Sequence, residues 1–296
     1  MTSTTSTIST TSPSQARRQR LRRSDRGSKI AVHAALIVFA IIAIAPLLVV
    51  IVNSFKTTMG IFGAPFALPG AGTFTLQGYI DVFTGGDFIT NYRNSAIVTI
   101  ATIVLTVVLG TAAAWALVEY KVRISPVLTG FFILGIMLPI RLGTVPLLKT
   151  MVAWHLIDTL GALILIYTAM QLPLAVALMM TYFRSVPTEL KEAARMDGAQ
   201  ELRVLGIALP LVRPGIAAVA SITMLPVWND LWFPLIFAPS KQNQTVTLGV
   251  QQFVGQFQSN YPALLAALTL GAIPLIVLFT VLSRQFIQGL SAGYGK

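Results

Sequence analysis

Residues 187–210 read PTELKEAARMDGAQELRVLGIALP. Seven of these side chains are charged (Glu189, Lys191, Glu192, Arg195, Asp197, Glu201 and Arg203), in a 296-residue chain that is 55% hydrophobic and only 10% charged. The stretch is too polar to cross a bilayer and too regular for a linker. It divides long apolar runs on either side, so its reading decides what those runs are.

The apolar runs are 30–52, 95–118, 127–140, 160–182, 215–237 and 263–282. Most approach the roughly 20 residues a helix needs to cross the hydrocarbon core, and the mean hydropathy of +0.76 lies far from that of soluble domains. The chain therefore reads as an all-α membrane protein with six transmembrane helices. The run 127–140 reaches spanning length only by including Arg141 and Pro146, which predicts a bend or interruption there. Between the first two runs, LQGYIDVF predicts a short amphipathic helix.

The net charge of +11 raises nucleic acid as a partner, but the distribution argues against it. Seven basic residues crowd 17–29, ahead of the first run. Lys121 and Arg123 follow the second run, Arg184, Lys191, Arg195, Arg203 and Arg213 the fourth, and Arg284 and Lys296 the sixth. The alternate loops hold Lys56, Arg93, Lys149 and Lys241. The positive-inside rule then places both termini and the charged central stretch in the cytoplasm. Residues 1–28, Ser/Thr-rich and then Arg-rich, read as a disordered basic cytoplasmic tail. A transit or signal peptide fits less well, because no small-residue cleavage site follows and the adjoining apolar run is full length.

Several chemistries are missing from the sequence. There is no cysteine, no G-x-x-x-x-G-K-[ST] phosphate loop and no G-x-S-x-G. His33 and His155 are far apart, with neither an HExxH pattern nor a carboxylate cluster, so no metal site is expected. Asp230 is the one acidic residue well inside an apolar run, which leaves little for an ion-coupled carrier.

Within the opening stretch, 188–197 predicts a helix. Pro187 suits its start, Glu189 and Glu192 oppose the positive end of the macrodipole, and Gly198 stops it. About ten residues are too few for an isolated helix in water, so it needs a docking surface. Leu190, Ala193, Ala194 and Asp197 recur on one face, with the charges of Lys191 and Arg195 beside it. The residues alone leave two readings open: a helix held by another protein, or a solvated loop with incidental helicity.

EAARMDG followed by IALP resembles the EAA signature of permease subunits in bacterial ABC importers. The matching positions are Glu192, Ala193, Ala194, Gly198, Ile207, Leu209 and Pro210. PLVRPGIAA, WNDLWFPLIF, TVTLGVQQF and the terminal GLSAGYGK are similar to the carbohydrate-uptake branch, and to the shorter permease of the maltose-type system within it. The resemblance covers about 30–296. It departs at 199–206, where eight residues separate Gly198 from Ile207, one fewer than the family pattern, and at the terminus, where Tyr294 and Gly295 precede Lys296.

The resemblance implies a type I importer fold, a permease domain over 29–296 and a coupling helix near 187–198. It implies that Glu192, Ala193, Ala194, Arg195, Asp197, Gly198, Ile207 and Pro210 serve ATPase coupling. The implied partners are a second related permease, a dimer of ABC ATPase subunits that use ATP and Mg, an extracytoplasmic solute-binding protein, and a sugar substrate in a bacterial plasma membrane. This chain itself would bind no cofactor and no nucleic acid, have membrane lipid around it, and not be an enzyme. Tyr167, Gln171, Trp228, Asn229 and Asp230 offer aromatic and polar contacts to a sugar, or serve as interhelical glue. Gln256, Phe257, Asn260 and Tyr261 lie in a loop that in relatives reaches the binding protein, or is inert. The rival class is a stand-alone secondary transporter or a membrane scaffold, neither of which needs the charged central stretch.

Overall fold

The computed structural model describes residues 13–85, 87–120, 123–138, 140–255 and 259–294. Helix α1 (Pro13–Asn53) carries the basic segment directly into the first apolar run, and its part Lys29–Asn53 is long and apolar enough to cross a membrane. Two short helices follow, α2 (Thr58–Gly63) and α3 (Gln77–Thr84), the second matching the amphipathic segment expected from the sequence. Helix α4 (Phe88–Glu119) is an unbroken candidate span.

The third apolar run is broken where its prolines and Arg141 predict. Helices α5 (Ser125–Met137) and α6 (Thr144–Ala153) are separated by a 3-10 turn at Ile140–Gly143, and the chain bends there by 91°. Helix α7 (Leu160–Arg184) is unbroken. The charged stretch forms α8 (Thr188–Met196) and α9 (Glu201–Ala208), after which the chain turns by 80° into α10 (Arg213–Asn229). Helix α11 (Trp232–Phe237) continues the fifth run beyond a break at Asp230, α12 (Val246–Gly249) is a single turn, and α13 (Tyr261–Tyr294) supplies a fourth unbroken span over Tyr261–Leu278. The described residues thus hold four continuous candidate spans, and up to six if each bent pair is one span.

Helix α4 is the centre of the bundle, packed along α7 and α10. Gly110 lets α4 approach α7 closely: a Cβ there would stand 3.0 Å from that of Ala175. Backbone approach through small residues is how membrane helices associate when lipid is as apolar as their own side chains. Trp115 of α4 meets Phe183 of α7 edge-on at 5.2 Å, in a buried cluster that also holds Met179, Val186, Val204 and Val212.

At the opposite end of α4, polar side chains tie down the segment after α11. Asn94 Nδ2 donates to the carbonyls of Gln242 (2.8 Å) and Gln244 (3.0 Å), and Ser95 Oγ accepts the Val246 N–H at 2.8 Å. Val246, Leu248, Val250 and Phe253 are buried as a result. Lys56, read from the sequence as a loop cation, is buried, with Nζ donating to Asn53 Oδ1 (3.1 Å) and the Ala64 carbonyl (2.9 Å).

Candidate functional site

Helix α8 ends as its composition dictates. Gly198 adopts φ +77°, the left-handed conformation that glycine enters without a Cβ clash. Its N–H donates to the Arg195 carbonyl, and the Ala199 N–H to the Ala194 carbonyl, both at 3.0 Å. These are the two bonds of a Schellman cap, which satisfies carbonyls the helix leaves open. Nothing lies within 4 Å of a Cβ built on Gly198, so a substitution there is opposed by backbone conformation alone. Gly198→Val is expected to cost about 1–2 kcal/mol and to lower uptake while membrane insertion, read by protease protection, is unchanged.

The inner face of α8 is fastened by charge. Glu119, the last residue of α4, has a side chain only 8% exposed. It accepts Lys191 Nζ at 2.5 Å and Arg195 Nη2 at 2.9 Å. Arg195 also reaches Glu201 at the start of α9, with Nε 2.9 Å from Oε1 and Nη2 3.2 Å from Oε2. A carboxylate at a helix C-terminus faces the negative end of the dipole, and two cations offset that here. The Glu201 hydrogen bond first, and Glu119 after it, push the Arg195 pKa up, so the group stays charged. One carboxylate on α4 therefore binds two turns of α8 and, through Arg195, the start of α9.

The sequence placed Ala194 with Leu190, Ala193 and Asp197 on one docking face, with the charges of Lys191 and Arg195 beside it. The structure corrects this. Ala194 is buried against the cluster around Phe183, Lys191 is buried, and Arg195 is engaged within the chain. What α8 leaves open is Leu190, Glu192, Ala193, Met196 and Asp197, joined by Leu202 of α9; Met196 is 87% and Leu202 82% exposed. Ile207 is partly exposed in the last turn of α9, and Pro210 is exposed beyond it.

A second polar group lies at the break between α10 and α11. Asp230 Oδ2 accepts the Tyr167 hydroxyl from α7 at 2.8 Å and the Phe233 N–H at 3.0 Å, while Oδ1 faces the Trp232 N–H at 3.3 Å. The sequence pairing of Tyr167 and Asp230 is thus brought together. Trp228 is not part of that group: it is buried, donates Nε1 to the Gly271 carbonyl at 2.9 Å and meets Tyr92 edge-on at 5.4 Å. Asn229 is exposed, with Nδ2 on the Leu225 carbonyl, and Gln171 is half-buried. The aromatic side chain exposed at this break is Trp232, which the sequence reading passed over.

Of the loop residues, Gln256 and Phe257 lie outside the described residues. Asn260 holds α3 to the start of α13: Nδ2 donates to Asp81 Oδ2 at 2.7 Å, and Oδ1 accepts the Ala263 N–H at 3.1 Å. Tyr261 stands edge-on to Phe62 at 4.9 Å.

This arrangement of broken and unbroken spans with a charged helical excursion has close counterparts. The family described as binding-protein-dependent transport system inner membrane component matches residues 106–291, and the chain belongs to that family. It is 31% identical over 273 residues to the diacetylchitobiose uptake system permease protein of Streptomyces coelicolor, covering 91% of this chain and 90% of that one. It is also 31% identical over 257 residues to the arabinooligosaccharides transport system permease protein of Halalkalibacterium halodurans, with 86% and 91% covered. Its fold matches a chain of a bacterial ABC transporter that imports the acidic polysaccharide alginate, at a TM-score of 0.78 and 22% identity, over 89% of this chain and 98% of that one. The protein is a membrane permease of binding-protein-dependent transport.

Proposed function

We propose that this chain is one of two permease subunits of an ATP-driven sugar importer, and that α8 is its coupling helix. One observation carries the reading: α8 is clamped on its inner side by the Glu119, Lys191, Arg195 and Glu201 charges, yet its other side is uncovered and partly apolar. A nine-residue helix so fastened transmits a push rather than bending under it. The sugar assignment rests on the substrates named for the two relatives.

In this reading separate ATPase subunits bind ATP and Mg and hold the open face of α8. Closing the ATPase pair draws the coupling helices together. Because Glu119 ends α4, that movement enters the centre of the bundle and favours one facing of the pathway over the other. A solute-binding protein delivers sugar on the opposite side, where the segment after α11 is tied to α4. Both termini lie in the cytoplasm of a bacterial cell with α8.

Orientation is tested with single cysteines, which the native chain lacks. Phe66→Cys, at an 85% exposed position, is expected to react with an impermeant maleimide in intact cells. Leu202→Cys is expected to react only in inside-out vesicles stripped of ATPase. The reverse pattern overturns the orientation.

Function is tested in proteoliposomes holding this chain with a partner permease and ATPase subunits, using tritiated diacetylchitobiose, arabinotriose and raffinose as probes. The expected result is uptake that requires both ATP on the α8 side and binding protein on the other. Uptake by this chain alone, without ATP, supports a stand-alone carrier and overturns the proposal.

A further inference from the structure

The break between α5 and α6 meets the break between α10 and α11. Arg141, in the turn between α5 and α6, places its guanidinium 5.8 Å from the centre of the Trp232 ring, just past the break between α10 and α11. Trp232 Nε1 donates to Thr144 Oγ1 at 3.1 Å, so the indole is pinned by α6 on one edge. Its side chain stays 42% exposed, and Arg141 and Asn229 beside it are exposed too.

Depth makes this group unusual. Helix α5 has 13 residues and α10 has 17, so at 1.5 Å per residue the breaks lie roughly 20–25 Å from the helix starts, towards the far side of a hydrocarbon core of about 30 Å. An arginine at such depth is costly unless it has a partner or faces a water-filled pathway. Among the described residues Arg141 has no carboxylate partner, its side-chain contact being the Trp232 ring. Asp230 forms no ion pair with it; its oxygens accept from the Tyr167 hydroxyl and the backbone of α11.

We propose that Trp232 and Arg141 form a sugar-contact patch in the pathway of this subunit, the indole stacking on the apolar face of a sugar ring and the guanidinium donating to adjacent hydroxyls. The chemistry on offer suits that ligand class. The patch has a flat aromatic surface and a planar fork of donors, set where two helix breaks meet. Trp228, the tryptophan expected from the sequence for this role, is turned away and satisfied by Gly271. The inference rests on the sugar reading above and names the residues through which this chain takes part in it.

The test uses the complete complex in proteoliposomes, with the same three tritiated sugars and with ATP hydrolysis measured in parallel. Trp232→Ala and Arg141→Ala are expected to lower uptake at saturating binding protein by at least about tenfold, the loss of one charged-group hydrogen bond or one stacking face. Hydrolysis stimulated by loaded binding protein stays within twofold of wild type, so ATP spent per sugar rises. Trp232→Phe and Arg141→Lys, which keep the ring or the charge, fall between, and decide the matter if an alanine variant does not assemble. Wild-type uptake in these variants overturns the proposal, as does a parallel fall in uptake and hydrolysis, which marks a packing staple. If the wild-type complex couples ATP to none of the sugars, the sugar reading itself fails and the patch with it.

Discussion

Glu119→Ala is expected to abolish uptake without removing the protein from the membrane. Lys191 and Glu119 each have side chains only 8% exposed, so deletion strands a buried ammonium. Removing one partner of a buried pair costs about 3–5 kcal/mol, several times the net worth of the intact pair. Arg195, at 34% exposure and still holding Glu201, loses less. The cost falls on a nine-residue helix with no independent stability, so α8 should detach from α4 rather than the bundle unfold. Hydrogen exchange over 188–197 should accelerate while α4 and α7 stay protected. Glu119→Gln, which keeps an acceptor, should retain part of the activity, and Glu119→Lys combined with Lys191→Glu should recover more than either single change. Wild-type uptake in Glu119→Ala would show that α8 is held by its apolar contacts alone.

Asp230→Ala should be the second most damaging change, for a different reason. It leaves the Tyr167 hydroxyl, on a residue 2% exposed, without an acceptor, and removes the acceptor for the Phe233 N–H. Each orphaned buried group costs about 1–3 kcal/mol. The expected result is a lower yield of assembled complex and a lower melting temperature in detergent, with uptake reduced accordingly. Asp230→Asn keeps an oxygen for Tyr167 and Phe233 but turns its amide nitrogen toward the Trp232 N–H, and should lose less stability than the alanine variant. If the alanine variant melts and transports normally, the Tyr167 contact is dispensable and the break at α11 is held by packing.

The spans were legible because bilayer thickness imposes a length that the apolar runs 95–118 and 160–182 meet outright. The interruption of the third run was legible too, since that run reaches spanning length only by including Arg141 and Pro146; proline alone was no guide, because Pro173 and Pro274 lie inside continuous helices. Gly198 was legible as a stop because few other residues adopt its φ. The clamp was not. Glu119 lies 72 positions from Lys191 and 76 from Arg195, and nothing local in either segment points to the other. That partnership also decides which way α8 faces, which is why Ala194 was expected outside and lies inside. The two tryptophans of WNDLW posed a similar problem. They are four apart and would share a face in a continuous helix, but the break at Asp230 resets the phase, burying Trp228 and exposing Trp232.

The claim that an ATPase subunit covers the open face of α8 is tested most directly by crosslinking from Met196, 87% exposed and on the side opposite the clamp. In membranes carrying the whole complex, Met196→Cys in the cysteine-free chain should join to a cysteine of the co-expressed ATPase through a short bismaleimide, with a yield that changes when ATP is bound. A complex that transports normally while Met196→Cys stays uncrosslinked in every nucleotide state, and open to soluble maleimide throughout, would contradict it.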